Sequence, residues 1–144
     1  MTTTESFGVL DWMVSVDDHI VEPPTLWTER VPSKDRDRAP RVVRSDEGFD
    51  VWVYEKVRAA VPGETVAASQ KDRKDVNMGP VNYEDMDPAI YDPVERVKAM
   101  DRAGVAAQSG FPFFPRYCGQ TFSEAEDREF ALICLRAYND WVLE

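Results

Sequence analysis

Seven prolines, Pro23, Pro24, Pro32, Pro40, Pro62, Pro80 and Pro88, fall between residues 22 and 92 and exclude a long uninterrupted helix or strand from that stretch. Proline lacks the backbone N–H that both elements need, and its ring fixes φ near about −65°. Long core elements are therefore expected on either side of it. A segment of this length between two core elements is commonly a lid or a substrate wall rather than a linker. Inside it the pattern allows a short helix around 24–30 and one β-hairpin. Gly48-Phe49-Asp50-Val51-Trp52-Val53-Tyr54-Glu55 alternates apolar and polar residues, and Arg41-Val42-Val43-Arg44 stands across the turn Ser45-Asp46-Glu47-Gly48 as its partner arm.

Before the prolines, Met13-Val14-Ser15-Val16 is a short β-branched run that stops at Asp17-Asp18-His19. It predicts a buried strand over 13–17 that ends in a polar loop. Residues 1–12, with three threonines, read as a frayed or docking arm. After the prolines, Asp92-Pro93-Val94-Glu95 carries a helix start, with Asp92 as N-cap, Pro93 at the first helical position and Glu95 able to fold back onto the cap. The helix is expected to reach Ala103, with Val94, Val97 and Met100 along one face and Gly104 as the left-handed C-cap residue. Val105-Ala106-Ala107-Gln108-Ser109-Gly110-Phe111 then predicts a second strand.

Strand, helix and strand in this order imply a βαβ unit with parallel strands and a right-handed crossover. Ser123 and Glu126 have the spacing of a capping box, and Phe130, Ile133, Cys134, Ala137, Tyr138 and Trp141 follow at helical spacing. No Gly, Pro or polar tail ends that helix before Glu144, so the pattern reads as cut rather than finished. Two parallel strands do not make a stable sheet, because parallel sheets are extensive and covered on both faces. Further strands are expected to pair with their edges.

The chain of 144 residues carries 27 acidic and 17 basic side chains, a net charge of −10. That charge repels nucleic-acid phosphates and anionic membrane surfaces, which excludes both as partners at this stage. The acidity is dispersed in mixed runs such as Lys71-Asp72-Arg73-Lys74-Asp75, as on a solvated surface. Cys118 and Cys134 form no CxxC pair, and the first residues have no basic segment followed by an apolar run, so a cytoplasmic location is expected.

Chemistry concentrates where the first strand ends. Residues two apart in extended chain point the same way, so Asp17 and His19 can present a carboxylate oxygen and an imidazole nitrogen to one cation. Both are ordinary zinc ligands, and the carboxyl ends of parallel strands are where α/β enzymes hold their sites. Asp-x-His alone is a common chance pattern. The wider string Ser15-Val16-Asp17-Asp18-His19-Ile20-Val21-Glu22-Pro23-Pro24, followed by Leu26-Trp27, resembles the opening of the amidohydrolase-related (amidohydrolase 2) metal-dependent hydrolase family. The stretch Asp92 to Val105 is similar to that family's first crossover helix leading into strand two, and Arg136-Ala137-Tyr138-Asn139-Asp140-Trp141 also resembles it. Residues 25–91 match only loosely.

The resemblance implies an α/β fold, the amino-terminal (βα)2 part of a TIM (β/α)8 barrel with a long irregular insertion after the first strand. The chain then divides into an arm (1–12), the first strand with the metal motif (13–22), the insertion (23–91) and a helix, strand and helix (92–144). Asp17 and His19 stand at the family's first-strand ligand positions, where His-x-His or Glu-x-His is more usual. Glu22 matches an acidic position that would support a ligand through a hydrogen bond or face the substrate; capping the helix that begins at the prolines is an equal reading. The implied cofactor is a divalent metal, zinc first and manganese second. It would serve hydrolysis of a small amide, lactone or carboxylated substrate, or a non-oxidative decarboxylation.

Catalytic zinc takes about three protein ligands, and a full barrel needs about 250 residues. The chain has one His and two placed core strands. The resemblance therefore implies that the other ligands and the base come from later strands, carried by a completing polypeptide or by further copies of the chain. The alternative is a non-enzymatic module held by a partner through its open strand edges. After the second strand, Phe111-Pro112-Phe113-Phe114-Pro115-Arg116-Tyr117 offers Phe113 as an apolar wall and Arg116 as a partner for a substrate carboxylate. A hydrophobic loop packed under the insertion is the other reading of the same residues.

Overall fold

A computed structural model describes residues 12–63 and 78–144. Most of the amino-terminal arm and the charged run 71–75 lie outside the described residues. The fold is mixed α/β and holds two separate sheets. The first pairs Met13–His19 (β1) with Val105–Phe111 (β5) in parallel, with Met13 opposite Val105 and His19 opposite Phe111. β1 thus runs two residues past the strand expected from sequence and takes Asp18 and His19 into the ladder. Between them Pro93–Ala103 (α2) makes the crossover, and Gly104 closes it at φ 69°, a left-handed conformation that glycine adopts without a Cβ clash. Asp92 caps α2 as expected, accepting from the backbone N–H of Val94 and Glu95. Glu95 does not fold back onto the cap; its carboxylate takes Lys98 one turn on, at 2.6 Å.

The second sheet is antiparallel and lies wholly within the proline-rich segment. Arg41–Arg44 (β2) pairs with Asp50–Tyr54 (β3) as the hairpin pattern implies, and a third strand, Val57–Ala60 (β4), continues the meander. β4 was not foreseen, because its turn is Glu55-Lys56, with Glu55 at φ 48° where a glycine or asparagine would have signalled it. The expected short helix is Leu26–Arg30 (α1). The chain closes with Gln120–Ser123 (α3) and Arg128–Leu143 (α4).

The Ser123–Glu126 capping box does not form. Ser123 ends α3 and donates to the carbonyl of Gln120, while α4 begins later with Asp127 as its cap, accepting from Phe130 N at 3.0 Å. Glu55 reaches across from the β3–β4 turn and accepts the N–H groups of Glu126 and Asp127 at 2.8 and 3.0 Å. A carboxylate at this position also meets the positive end of the helix dipole.

The core does not sit in the βαβ unit. It is an aromatic body built from the proline-rich segment, the loop after β5 and the buried face of α4: Trp27, Trp52, Tyr54, Tyr83, Phe114, Phe122 and Phe130 are all buried. Trp27 is its centre, with Trp52 at 5.2 Å edge-on, Phe114 at 5.5 Å and Phe122 at 5.8 Å. Its indole N–H donates to the carbonyl of Cys134 at 3.0 Å and ties α1 to α4. The segment expected as a lid or wall is therefore part of the structural foundation. Conversely, Val94 and Val97 of α2 are 63% and 57% exposed, so the apolar face of that helix is uncovered rather than lining a core. Val14 and Val16 of β1 are 51% and 72% exposed, although a buried strand was expected. Among the described residues no helix is long and apolar enough to cross a membrane.

Candidate functional site

The polar end of β1 follows an irregularity in the ladder between Ser15 and Asp18 and carries its side chains on two faces. Asp18 points toward α2, where its carboxylate lies 3.6 Å from the guanidinium of Arg96, which also donates to the side chain of Gln108 on β5 at 2.8 Å. Asp17 and His19 share the other face, away from the crossover helix. Their side chains stand together, His19 Nε2 to Asp17 Oδ1 at 3.8 Å, and are 78% and 81% exposed for His19 and Asp17 respectively. The His19 ring also lies 6.0 Å from that of Phe111, its neighbour on β5.

Two atoms that share a tetrahedral ion at about 2.0–2.2 Å stand about 3.3–3.6 Å apart, so the exposed pair, at 3.8 Å, would close by a few tenths of an ångström to hold one. Asp17 Oδ1 and His19 Nε2 would be the ligating atoms. Among the described residues no cluster of three or more His, Cys, Asp or Glu side chains completes a metal site.

Glu22 does not cap the helix at the prolines. It is fully buried, with one oxygen accepting Phe113 N at 3.2 Å and the other accepting Phe114 N at 2.9 Å. The helix at the prolines starts without it, since Thr25 is its N-cap. Burial pushes the Glu22 carboxyl up to about 7, against the two amide bonds, which favour the charged form. Its backbone carbonyl is held too, by the Tyr83 hydroxyl at 2.6 Å, which in turn accepts the Trp52 indole N–H at 3.0 Å.

The loop after β5 is thereby fixed at its root and open at its tip. Phe114 is buried and its carbonyl accepts the Thr121 hydroxyl at 2.7 Å; Phe113 is half-buried against the aromatic body, as in the packed-loop reading. Arg116 is exposed and adopts φ 60°, ψ 179°, a region almost confined to glycine, and Cys118 has φ 56°. The tie between Glu22 and Phe113–Phe114 and the ion pair of Asp18 with Arg96 had no sequence signal, because each joins residues far apart in the chain. An open depression of about 410 Å³ is lined by Arg44, Asp46, Glu47, Phe49 and Arg58 among others and includes none of these residues.

The fold has a counterpart among solved structures. The fold matches part of an amidohydrolase. A crystal structure described as an amidohydrolase from Mycobacterium avium subsp. paratuberculosis K-10 aligns over 91% of this chain with a TM-score of 0.59 and 20% sequence identity. This chain spans 37% of the length of that amidohydrolase. No family model and no curated protein matches the sequence.

Proposed function

We propose that this chain contributes the first two strands of an amidohydrolase-type TIM barrel, and that Asp17 and His19 supply two ligands of its divalent metal. The observation that carries the reading is their arrangement: two exposed donors 3.8 Å apart, at the carboxyl end of a parallel strand, on the face turned away from α2. In a barrel that face is the interior and that end is the catalytic one. The likeness to an amidohydrolase supports the same geometry.

When bound, zinc or manganese would supply a Lewis acid and an activated water for hydrolysis of a small amide, lactone or carboxylated substrate. The residues of this chain hold and surround it: Asp17 and His19 ligate, Asp18 and Arg96 brace β1 against α2 from behind, and Arg116 offers a cation to a substrate carboxylate. The other strands, ligands and base come from elements beyond these residues, such as a completing polypeptide or further copies of the chain. Those strands would meet the open edges of β1 and β5 and cover Val14, Val16, Val94 and Val97, which stand exposed here.

The test is metal analysis of the protein isolated with its native partners, joined to hydrolysis assays on small amides and lactones. A stoichiometric divalent metal is expected, together with additional polypeptide. Asp17→Asn combined with His19→Ala should lower metal content and turnover at least about tenfold while the far-ultraviolet circular dichroism is unchanged. Full metal content in the double variant, or a native assembly without metal, sinks the proposal.

A further inference from the structure

Glu22 is difficult to explain by stability alone. An ionisable group with no cation beside it is expensive to bury, and an apolar side chain of similar volume would pack there at lower cost. What the carboxyl provides instead is a fixed register between two loops. Glu22 follows β1 and Phe113–Phe114 follow β5, so one side chain joins the two strand ends that frame the candidate metal pair. Its own main chain is anchored by Tyr83, and Val21 N donates to the Ile90 carbonyl at 3.1 Å, so the carboxyl is an immobile anchor rather than a loose contact.

Beyond that anchor the loop carries strain. Arg116 N donates to the Phe113 carbonyl and Gly119 N to the Arg116 carbonyl, both at 3.2 Å, which winds the chain through the unfavourable backbone at Arg116 and Cys118. Non-glycine residues in such regions cost about 1–3 kcal/mol each and persist only where surrounding structure holds them. The surroundings here are Glu22 on one side and Thr121 on the other. The exposed product of this arrangement is the guanidinium of Arg116.

We propose that Glu22 is a positioning residue: its carboxylate clamps the backbone of Phe113 and Phe114 and so holds Arg116 in place to bind an anionic, carboxylate-bearing substrate. The assignment of substrate class rests on the hydrolase reading above; the clamp itself rests on the hydrogen bonds.

Two measurements test it. The first is amide hydrogen exchange at Phe113 and Phe114 and thiol alkylation at Cys118 in the full chain at pH 8, with buried Cys134 as the internal control. Glu22→Gln keeps one acceptor but turns an amide NH2 toward the other N–H, and should speed both processes about tenfold while Cys134 stays protected. The second is benzoate binding to the native assembly. Arg116→Ala and Glu22→Gln should each weaken it about tenfold, and the double variant should be no weaker than Arg116→Ala alone, since the two act through one group. Unchanged exchange in Glu22→Gln, additive losses, or no benzoate binding by the wild type overturns the proposal. An assembly without metal would overturn the hydrolase reading and leave the clamp standing; the reverse outcome leaves the metal pair and removes the clamp.

Discussion

The carboxylate of Glu22 accepts the backbone N–H of Phe114 at 2.9 Å across 92 residues of chain. Buried with no cation partner among the described residues, it holds its proton more tightly in the folded protein, where burial pushes it up to about 7, than in the unfolded chain, where it titrates near 4.5. Below the lower value both states are protonated and the group has no effect on the equilibrium. Between the two the unfolded chain ionises first, so stability falls as pH rises through this window and is level again above it. The full loss is about 3 kcal/mol. Urea midpoints at pH 5 and pH 8 should differ more for the wild type than for Glu22→Gln, and equal differences would refute the assignment.

Trp27 joins α1 to α4 through its indole N–H and touches four other rings. Trp27→Phe should cost about 2 kcal/mol from the lost hydrogen bond and the smaller ring, and Trp27→Ala about 3–5 kcal/mol. Denaturant midpoints measure both. A loss below about 1 kcal/mol for Trp27→Ala would show that the aromatic body is not the core.

Asp92 takes two backbone N–H groups at the start of α2, while Glu95 takes none of the cap and pairs with Lys98 on the surface. Asp92→Ala should lower stability by about 1 kcal/mol, and Glu95→Gln by less than about 0.5 kcal/mol. Thermal unfolding of the two variants separates them. Equal losses would restore the capping box that the geometry lacks.

Arg116 sits at φ 60°, ψ 179°, where glycine is at ease and arginine is not. Arg116→Gly should raise stability by about 1 kcal/mol, the relief of backbone strain less the entropy that glycine adds to the unfolded chain. The same variant loses the cation and should lose benzoate binding. A stability decrease in chemical denaturation would mean that the loop is not strained.

The features legible in the sequence were those whose physics is local. Asp92, Pro93 and Gly104 delimit α2 correctly because a cap, a fixed φ and a left-handed residue act within one turn of chain, and the limits of β2 and β5 follow from composition and alternation. Ser123 and Glu126 had the spacing of a box, yet Asp127 and the distant Glu55 captured the free N–H groups of α4 instead. Exposure was misjudged at Val94 and Val97 because a periodic apolar face states that something should cover it and not what does. Of the candidate site, the adjacency of Asp17 and His19 was readable from their spacing of two in extended chain, although the ladder is irregular between Ser15 and Asp18. The burial of Glu22 was not, since its partners lie 91 and 92 residues away.

The location of the aromatic body gives this molecule an unequal hierarchy of opening. Trp27, Trp52 and Phe114 are locked among themselves, whereas β1 and β5 depend chiefly on one another and on a helix with no buried residue. Among the described residues, fluctuations should therefore begin at the parallel pair and leave Trp27 and Trp52 packed, so that Asp17 and His19 ride on a readily released element. Such a pair of side chains stays adaptable, while the loop carrying Arg116 remains rooted in the aromatic body through Phe114.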